Sequence, residues 1–158
     1  MGGSALNWPE QSYKELTEML VKEYNVICGG GFFEKDLVKR IVGSQKDVKI
    51  FIGETLEKYI ALISKVDLVI APSTGPVHLA VAMNKKIVSF YPPIRVQSVT
   101  RWGPYPYNEE TMSVHVPDLN CMEDFKCKLE LCNYYPCMKS ITTDDVFDSI
   151  QKLLKEEK

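Results

Sequence analysis

Val66-Asp-Leu-Val-Ile-Ala-Pro-Ser-Thr-Gly-Pro-Val-His-Leu-Ala-Val-Ala-Met83 decides how the rest of the chain is read. Residues 66–71 form a short apolar run, the pattern of a strand covered on both faces. Ser73-Thr74-Gly75-Pro76 then offers hydroxyl caps, a glycine that allows close backbone approach, and a proline suited to a first helical turn. From Val77 the pattern turns helical, with Val77, Leu79, Ala80, Val81 and Met83 among small residues. A helix that opens at the carboxyl end of a parallel strand presents free N–H groups and the positive end of its dipole, which together favour an anion, commonly a phosphate. His78 falls in the same first turn and can face that anion. An ordinary capped helix with a half-buried histidine fits the same pattern equally well.

Around this stretch the composition bounds the answer. The 158 residues suffice for one domain with a real core, and 45% hydrophobic with 25% charged residues is a globular balance. A formal net charge of -2 gives no reason to expect a nucleic-acid partner. No apolar run is long enough to span a membrane, and Met-Gly-Gly-Ser lacks a signal-peptide core. The expected location is therefore cytoplasmic, with attachment at the inner face of a membrane left open. Of five cysteines, Cys28 falls in an expected buried strand. Cys121, Cys127, Cys132 and Cys137 cluster without a C-x-x-C pair, which leaves free thiols, one or two disulfides, or a metal knot as alternatives.

Strands are expected at residues 24–28, 48–52, 66–71, 86–91 and 111–116. Helices are expected at residues 9–23, 33–42, 56–65, from 77 onward, and from 142 to 154. Asn7 or the Pro9 turn starts the first helix, and Thr142-Thr143-Asp144-Asp145 starts the last. Residues 94–107, with Arg95, Arg101 and Trp102, read as a long loop able to grip phosphate or flank a ring. Alternation of this kind predicts an α/β fold, a Rossmann-like parallel sheet with helices on both faces, whose ligands sit beyond the carboxyl ends of the strands. The loops at residues 2–8, 29–34, 53–55, 73–78 and 92–102 all fall on that edge. Glu34 is either a helix-start charge or a binder of ligand hydroxyls, as acidic residues bind ribose elsewhere. The absence of G-x-G-x-x-G and Walker sequences disfavours a nicotinamide cofactor or a P-loop nucleotide. The opening glycine loop follows no strand, so the chain reads as part of a longer protein.

Gly2-Gly3-Ser4 with Trp8-Pro9, Gly29-Gly30-Gly31 with Glu34, and above all Pro72-Ser-Thr-Gly-Pro-Val-His-Leu-Ala80 resemble the lipopolysaccharide heptosyltransferase family, glycosyltransferase family 9. Tyr91-Pro92-Pro93, Arg101-Trp102-Gly103-Pro104 and the cysteines ending in Cys137-Met138 are similar to members of the same family. The resemblance spans nearly the whole chain and implies a GT-B architecture of which residues 1–158 form only the C-terminal, donor-binding domain. It implies a nucleotide-diphosphate-sugar donor of the ADP-heptose kind, no required cofactor or metal, and an inverting transfer to a glycan or lipid-linked acceptor. The general base would come from an N-terminal domain with no counterpart here. It further implies that Thr74, Gly75 and His78 meet the donor diphosphate, that Ser4 lines it, and that Glu34, Glu54 and Thr55 lie near the nucleoside. Ser73 stands where the family usually has Asp, and Leu6 and Asn7 stand where many members are basic. Arg95 or Arg101 would have to supply that charge. A sugar-nucleotide epimerase-like half and a non-catalytic interaction module are the competing readings.

Overall fold

A period of two organises the central strands. The computed structural model describes residues 6–155. In it, β3 (Leu68–Pro72), β4 (Lys86–Phe90) and β5 (Met112–His115) pair in parallel in the order β3-β4-β5. Successive side chains of a strand point to opposite faces. Accordingly Val88 and Phe90 enter one core with Leu68 and Ile70 against it, while Val69, Ala71 and Ile87 enter another. The first core is closed by α1 (Glu10–Leu20), through Leu16 and Leu20, and by α6 (Thr143–Lys155), through Val146, Ile150 and Leu153. The second is closed by α3 (Leu56–Lys65), through Ile63, and by α4 (Gly75–Ala82), through Val77 and Ala80. Helices therefore cover both faces, as the alternation predicts.

The remaining strands, β1 (Ile27–Gly30) and β2 (Lys49–Ile52), form a separate parallel pair in register from Ile27↔Lys49 to Gly30↔Ile52. They are joined by α2 (Lys35–Val42), whose Val38 and Val42 pack with Val48, Val26 and Cys28. The single sheet read from the sequence is thus two parallel sheets. Periodicity fixes which residues are strands but not which strands are neighbours.

Several boundaries shift for local reasons. The first helix has Pro9 as its N-cap with no side-chain cap, so Asn7 does not fill that role. Strand β1 runs into the glycines instead of ending at Cys28, because Gly29 and Gly30 pair with Phe51 and Ile52. A Cβ on Gly30 would lie 2.9 Å from Val38 Cγ2, so helix α2 sits where only a glycine backbone lets it. A 3-10 turn, Phe32–Glu34, precedes α2. The stretch read as a loop at residues 94–107 contains a 3-10 turn (Arg95–Gln97) and α5 (Val99–Trp102), closed by Trp102 N–H to Ser98 carbonyl, 3.1 Å.

Trp8 was read as loop. It is fully buried, stacked on Phe90 at 4.5 Å between ring centroids, with its indole N–H donating to Ile141 carbonyl at 2.9 Å. A buried indole stacked on one ring, in a T-shaped contact with another and with its single donor satisfied is a strong core anchor.

Candidate functional site

Because all five strands are parallel within their sheets, each sheet has one carboxyl edge. At β3 the chain leaves Pro72 with Ser73 N–H bonded to Phe90 carbonyl at 3.2 Å, so the turn is fastened to β4 before α4 begins. Thr74 is the N-cap, extended at φ -145 and ψ 172, with Pro at the first turn. Its hydroxyl does not cap the helix: Thr74 Oγ1 donates to Pro72 carbonyl at 3.0 Å. Among the described residues, a Cβ built on Gly75 meets no atom within 4 Å. The front of α4 is therefore uncapped by its own hydroxyl and, among the described residues, the side on which a Gly75 Cβ would stand is open, while Val77 and Ala80, both fully buried, clamp its back to the sheet. His78 is exposed one turn in. Pro76 has no N–H and Val77 N–H donates to Thr74 carbonyl at 3.1 Å, so the rigid helix start offers an anion the Gly75 N–H, the positive end of the dipole and an adjacent imidazole.

Next to this turn Tyr91 directly follows β4, fully buried, its hydroxyl donating to Trp102 carbonyl at 2.9 Å. Burial pushes its phenol above the ordinary value, and the Ser89 and Ser73 hydroxyls beside it partly offset that rise. Tyr91 thereby pins the loop after β4 against Ser73. The sequence reading passed over it. Its only sequence signal is its place between a strand and Pro92-Pro93. Gln97 was also missed; its Oε1 accepts from Leu6 N–H at 3.0 Å and ties the start of the described chain to the same loop.

The other expected site residues divide. Glu34 Oε2 accepts from Gly31 N–H at 2.9 Å, the helix-start role, while its charge helps to raise the Tyr59 phenol after burial has done most of that work. Glu54 is 2.6 Å from Lys58 Nζ, and Thr55 Oγ1 caps α3 by accepting from Lys58 N–H at 3.4 Å. These three lie on the carboxyl edge of the β1-β2 pair. Arg95 Nε is 3.0 Å from Asp124 Oδ1, and its backbone N–H donates to Glu123 carbonyl. Arg101 lies over the Trp102 ring, 5.5 Å from its centroid. Both arginines line a groove of about 600 Å³ with Ser98, Thr100 and Phe125. Ser4 lies outside the described residues.

Cys121, Cys127, Cys132 and Cys137 are free thiols, as is Cys28. Among the described residues no group of three or more His, Cys, Asp or Glu is placed to hold a metal ion. Burial, then the neighbouring Cys127 and Cys121, push the Cys137 thiol up, which keeps it protonated. No described helix is long and apolar enough to cross a membrane.

Known proteins bear on this geometry. A putative glycosyltransferase of Haemophilus influenzae is 32% identical over 108 residues, covering 65% of this chain and 31% of that protein. Lipopolysaccharide heptosyltransferase 2 of Escherichia coli is 29% identical over 98 residues, covering 58% of this chain and 28% of that protein. The chain thus matches less than a third of the length of these curated relatives. The solved structure of an E. coli heptosyltransferase with ADP superposes with a TM-score of 0.74 at 18% identity, over 97% of this chain and 42% of that one, which establishes the fold alone. The sequence model described as Glycosyltransferase family 9 (heptosyltransferase) matches residues 4–134, well over half of the chain. A transferase family thereby displaces the epimerase-like reading, and the chain belongs to glycosyltransferase family 9.

Proposed function

We propose that residues 1–158 are the donor-binding domain of a heptosyltransferase-like, GT-B glycosyltransferase. The observation that carries this is the start of α4: Thr74 hydroxyl turned back to Pro72 carbonyl, and open space in front of Gly75. The diphosphate of a nucleoside-diphosphate sugar sits at the front of α4 on the Gly75 N–H and the helix dipole, with Thr74, His78 and Ser73 flanking it and Ser4 lining it. Glu34, Glu54 and Thr55 form the nucleoside side, and Arg95 and Arg101 add positive charge from the loop after β4. The donor is of the ADP-heptose kind, a choice supported by the ADP bound in the solved relative.

In the transfer, an acceptor hydroxyl of a glycan or lipid attacks the anomeric carbon while the carbon–oxygen bond to the diphosphate breaks. A carboxylate from a second domain takes the hydroxyl proton, and the nucleoside diphosphate leaves with the bonding electrons. Helix α4 receives the charge that develops on the leaving oxygen with dipoles already in place. Donors of this kind contribute roughly 3 kcal/mol each where they have been removed from other enzymes. No metal is required. The protein works in the cytoplasm, at the inner face of the membrane that carries its acceptor, in lipopolysaccharide or related cell-surface glycan synthesis.

The test is amide NMR of the 158-residue chain with ADP, GDP and UDP added separately. Shifts centred on residues 73–78 are expected, largest with ADP. If none of the three moves those amides, the assignment fails.

A further inference from the structure

The front of α4 offers a diphosphate few donors from its own backbone. Gly75 keeps its N–H, Pro76 has none, and Val77 N–H is bonded to Thr74 carbonyl. One N–H, a helix end and an imidazole leave much of the charge of a diphosphate unmatched, so a full cation belongs beside them. Arg95 and Arg101 stand in the loop after β4, and their surroundings differ. Arg95 is committed: its Nε is 3.0 Å from Asp124 Oδ1, and the N–H groups of Arg95 and Val96 donate to Glu123 and Asp124 carbonyls. Arg101 has no carboxylate partner among the described residues. Its guanidinium lies over the Trp102 ring, 5.5 Å from the centroid, a contact that uses none of its N–H donors. The Trp102 platform is itself held. Its indole N–H donates to Val96 carbonyl at 2.9 Å, and its carbonyl accepts from Tyr91 hydroxyl at 2.9 Å. Tyr91 is fully buried, with its N–H donating to His115 carbonyl at 3.0 Å, and the preceding Phe90 carbonyl accepts from Ser73 N–H. A continuous set of bonds therefore runs from the turn ahead of α4, through the end of β4 and the Tyr91 hydroxyl, to the residue that follows Arg101.

We propose that Arg101 is the cation that grips the donor diphosphate directly, and that Tyr91 is the positioning residue that holds it there through Trp102. The inference rests on the donor-domain reading above and decides which arginine makes the direct contact. A guanidinium matches the paired oxygens of a phosphate with two parallel hydrogen bonds, which a single N–H or an imidazole cannot do. Arg101 lines its groove with the Ser98 and Thr100 hydroxyls, further donors for phosphoryl oxygens. The Tyr91 ring fills the space under the turn, while its hydroxyl alone reaches the Arg101 segment. Ring and hydroxyl are therefore separable by substitution.

Arg101→Gln and Tyr91→Phe, singly and together in the 158-residue chain, test this by amide NMR titration with ADP and, separately, with adenosine. Arg101→Gln should weaken ADP about tenfold, the scale of a charge-assisted hydrogen bond, and leave adenosine unchanged. Tyr91→Phe should weaken ADP about threefold, leave adenosine unchanged, and speed amide exchange at residues 99–103 with no nucleotide present. The double variant should bind ADP no more weakly than Arg101→Gln alone, because the hydroxyl acts only through the guanidinium. A tyrosine with a merely structural role would lower both ligands alike and add its loss to that of Arg101. Should Tyr91→Phe not fold, Trp102→Leu replaces it in the same cycle, removing the platform at a half-exposed ring. Additive losses, or ADP binding untouched by Arg101→Gln, overturn the proposal while the parent's ADP shifts at residues 73–78 keep the donor-domain reading. A parent with no such shifts brings down that reading, and this inference with it.

Discussion

The β3-β4-β5 half and the β1-β2 half are built from equally apolar strands, yet they are finished to different degrees. In the first, β4 is fully enclosed, with Ile87, Val88 and Ser89 at 0% exposure, and Trp8, Phe90 and Met138 fill the layer beneath α1 and α6. In the second, Ile50 is 49% exposed and Phe33 is 99% exposed, and the core reduces to the valines between α2 and the strands. The difference teaches where stability and incompleteness lie. The half that carries α4 is a settled platform. The β1-β2 half, which the proposed function makes the nucleoside side, is a thin layer.

The sharpest way to break that contrast is to truncate an aromatic in each half. Trp8→Ala removes a ring stacked on Phe90 and edge-on to Tyr13, and it orphans Ile141 carbonyl. A loss of about 3–5 kcal/mol is expected in urea or guanidinium unfolding. Phe33→Ala, at a ring almost wholly in solvent, should change stability by less than about 0.5 kcal/mol. Comparable losses from both would mean that the β1-β2 half is as closed as its neighbour.

Two glycines sharpen it further. In Gly30→Ala the new methyl meets Val38 Cγ2 at 2.9 Å and Glu34 Cβ at 3.2 Å, so α2 must move off β1. A destabilisation of about 1–3 kcal/mol is expected. Gly75→Ala meets nothing described within 4 Å and should fold as the parent does, within about 0.5 kcal/mol. On the proposed function, the same methyl stands between α4 and the diphosphate, so the ADP-induced shifts should weaken. An unchanged nucleotide response with unchanged stability would remove Gly75 from the site.

How much of this was legible from the residues depends on how local each cause is. Helix α3 was read at residues 56–65 and found there, because a Thr55 cap and an apolar stripe act within a few residues. The strand–turn–helix around Ser73 was equally readable, for the same reason. Trp8 was not, since what buries it is Phe90 and Ile141, far along the chain. The split of the sheet was invisible because strand adjacency is a matter of topology, on which a period of two is silent. Within the candidate site, the turn at residues 73–78 was readable as a turn from its own chemistry. Tyr91 and Gln97 act through partners in other segments and left no comparable mark. Arg95 was read as a phosphate ligand, and no local pattern announces its pairing with Asp124.

The gentlest probe of the settled half is pH. His115 ends β5, beside Phe90, with its Nε2 3.2 Å from Ser113 Oγ and its carbonyl accepting from Tyr91 N–H. Burial lowers its affinity for a proton below the ordinary value of 6.5, and the Asp145 carboxylate only partly restores it. The unfolded chain therefore binds that proton more readily than the folded one. Where the unfolded state holds more protons, stability rises with pH. The contribution is complete above about pH 6.5 and declines as pH falls from there toward the lowered folded value. The exposed carboxylates Glu10, held down by Arg40, and Glu15, held down by Gln11 and Thr143, act in the same direction but only below 4.5, so the windows separate. Unfolding midpoints of the parent should fall between about pH 7 and pH 5, and His115→Gln should flatten that segment without altering the acid limb. A slope that survives the substitution would place the titrating group elsewhere and leave partial burial at the carboxyl end of β5 without a part in the pH dependence.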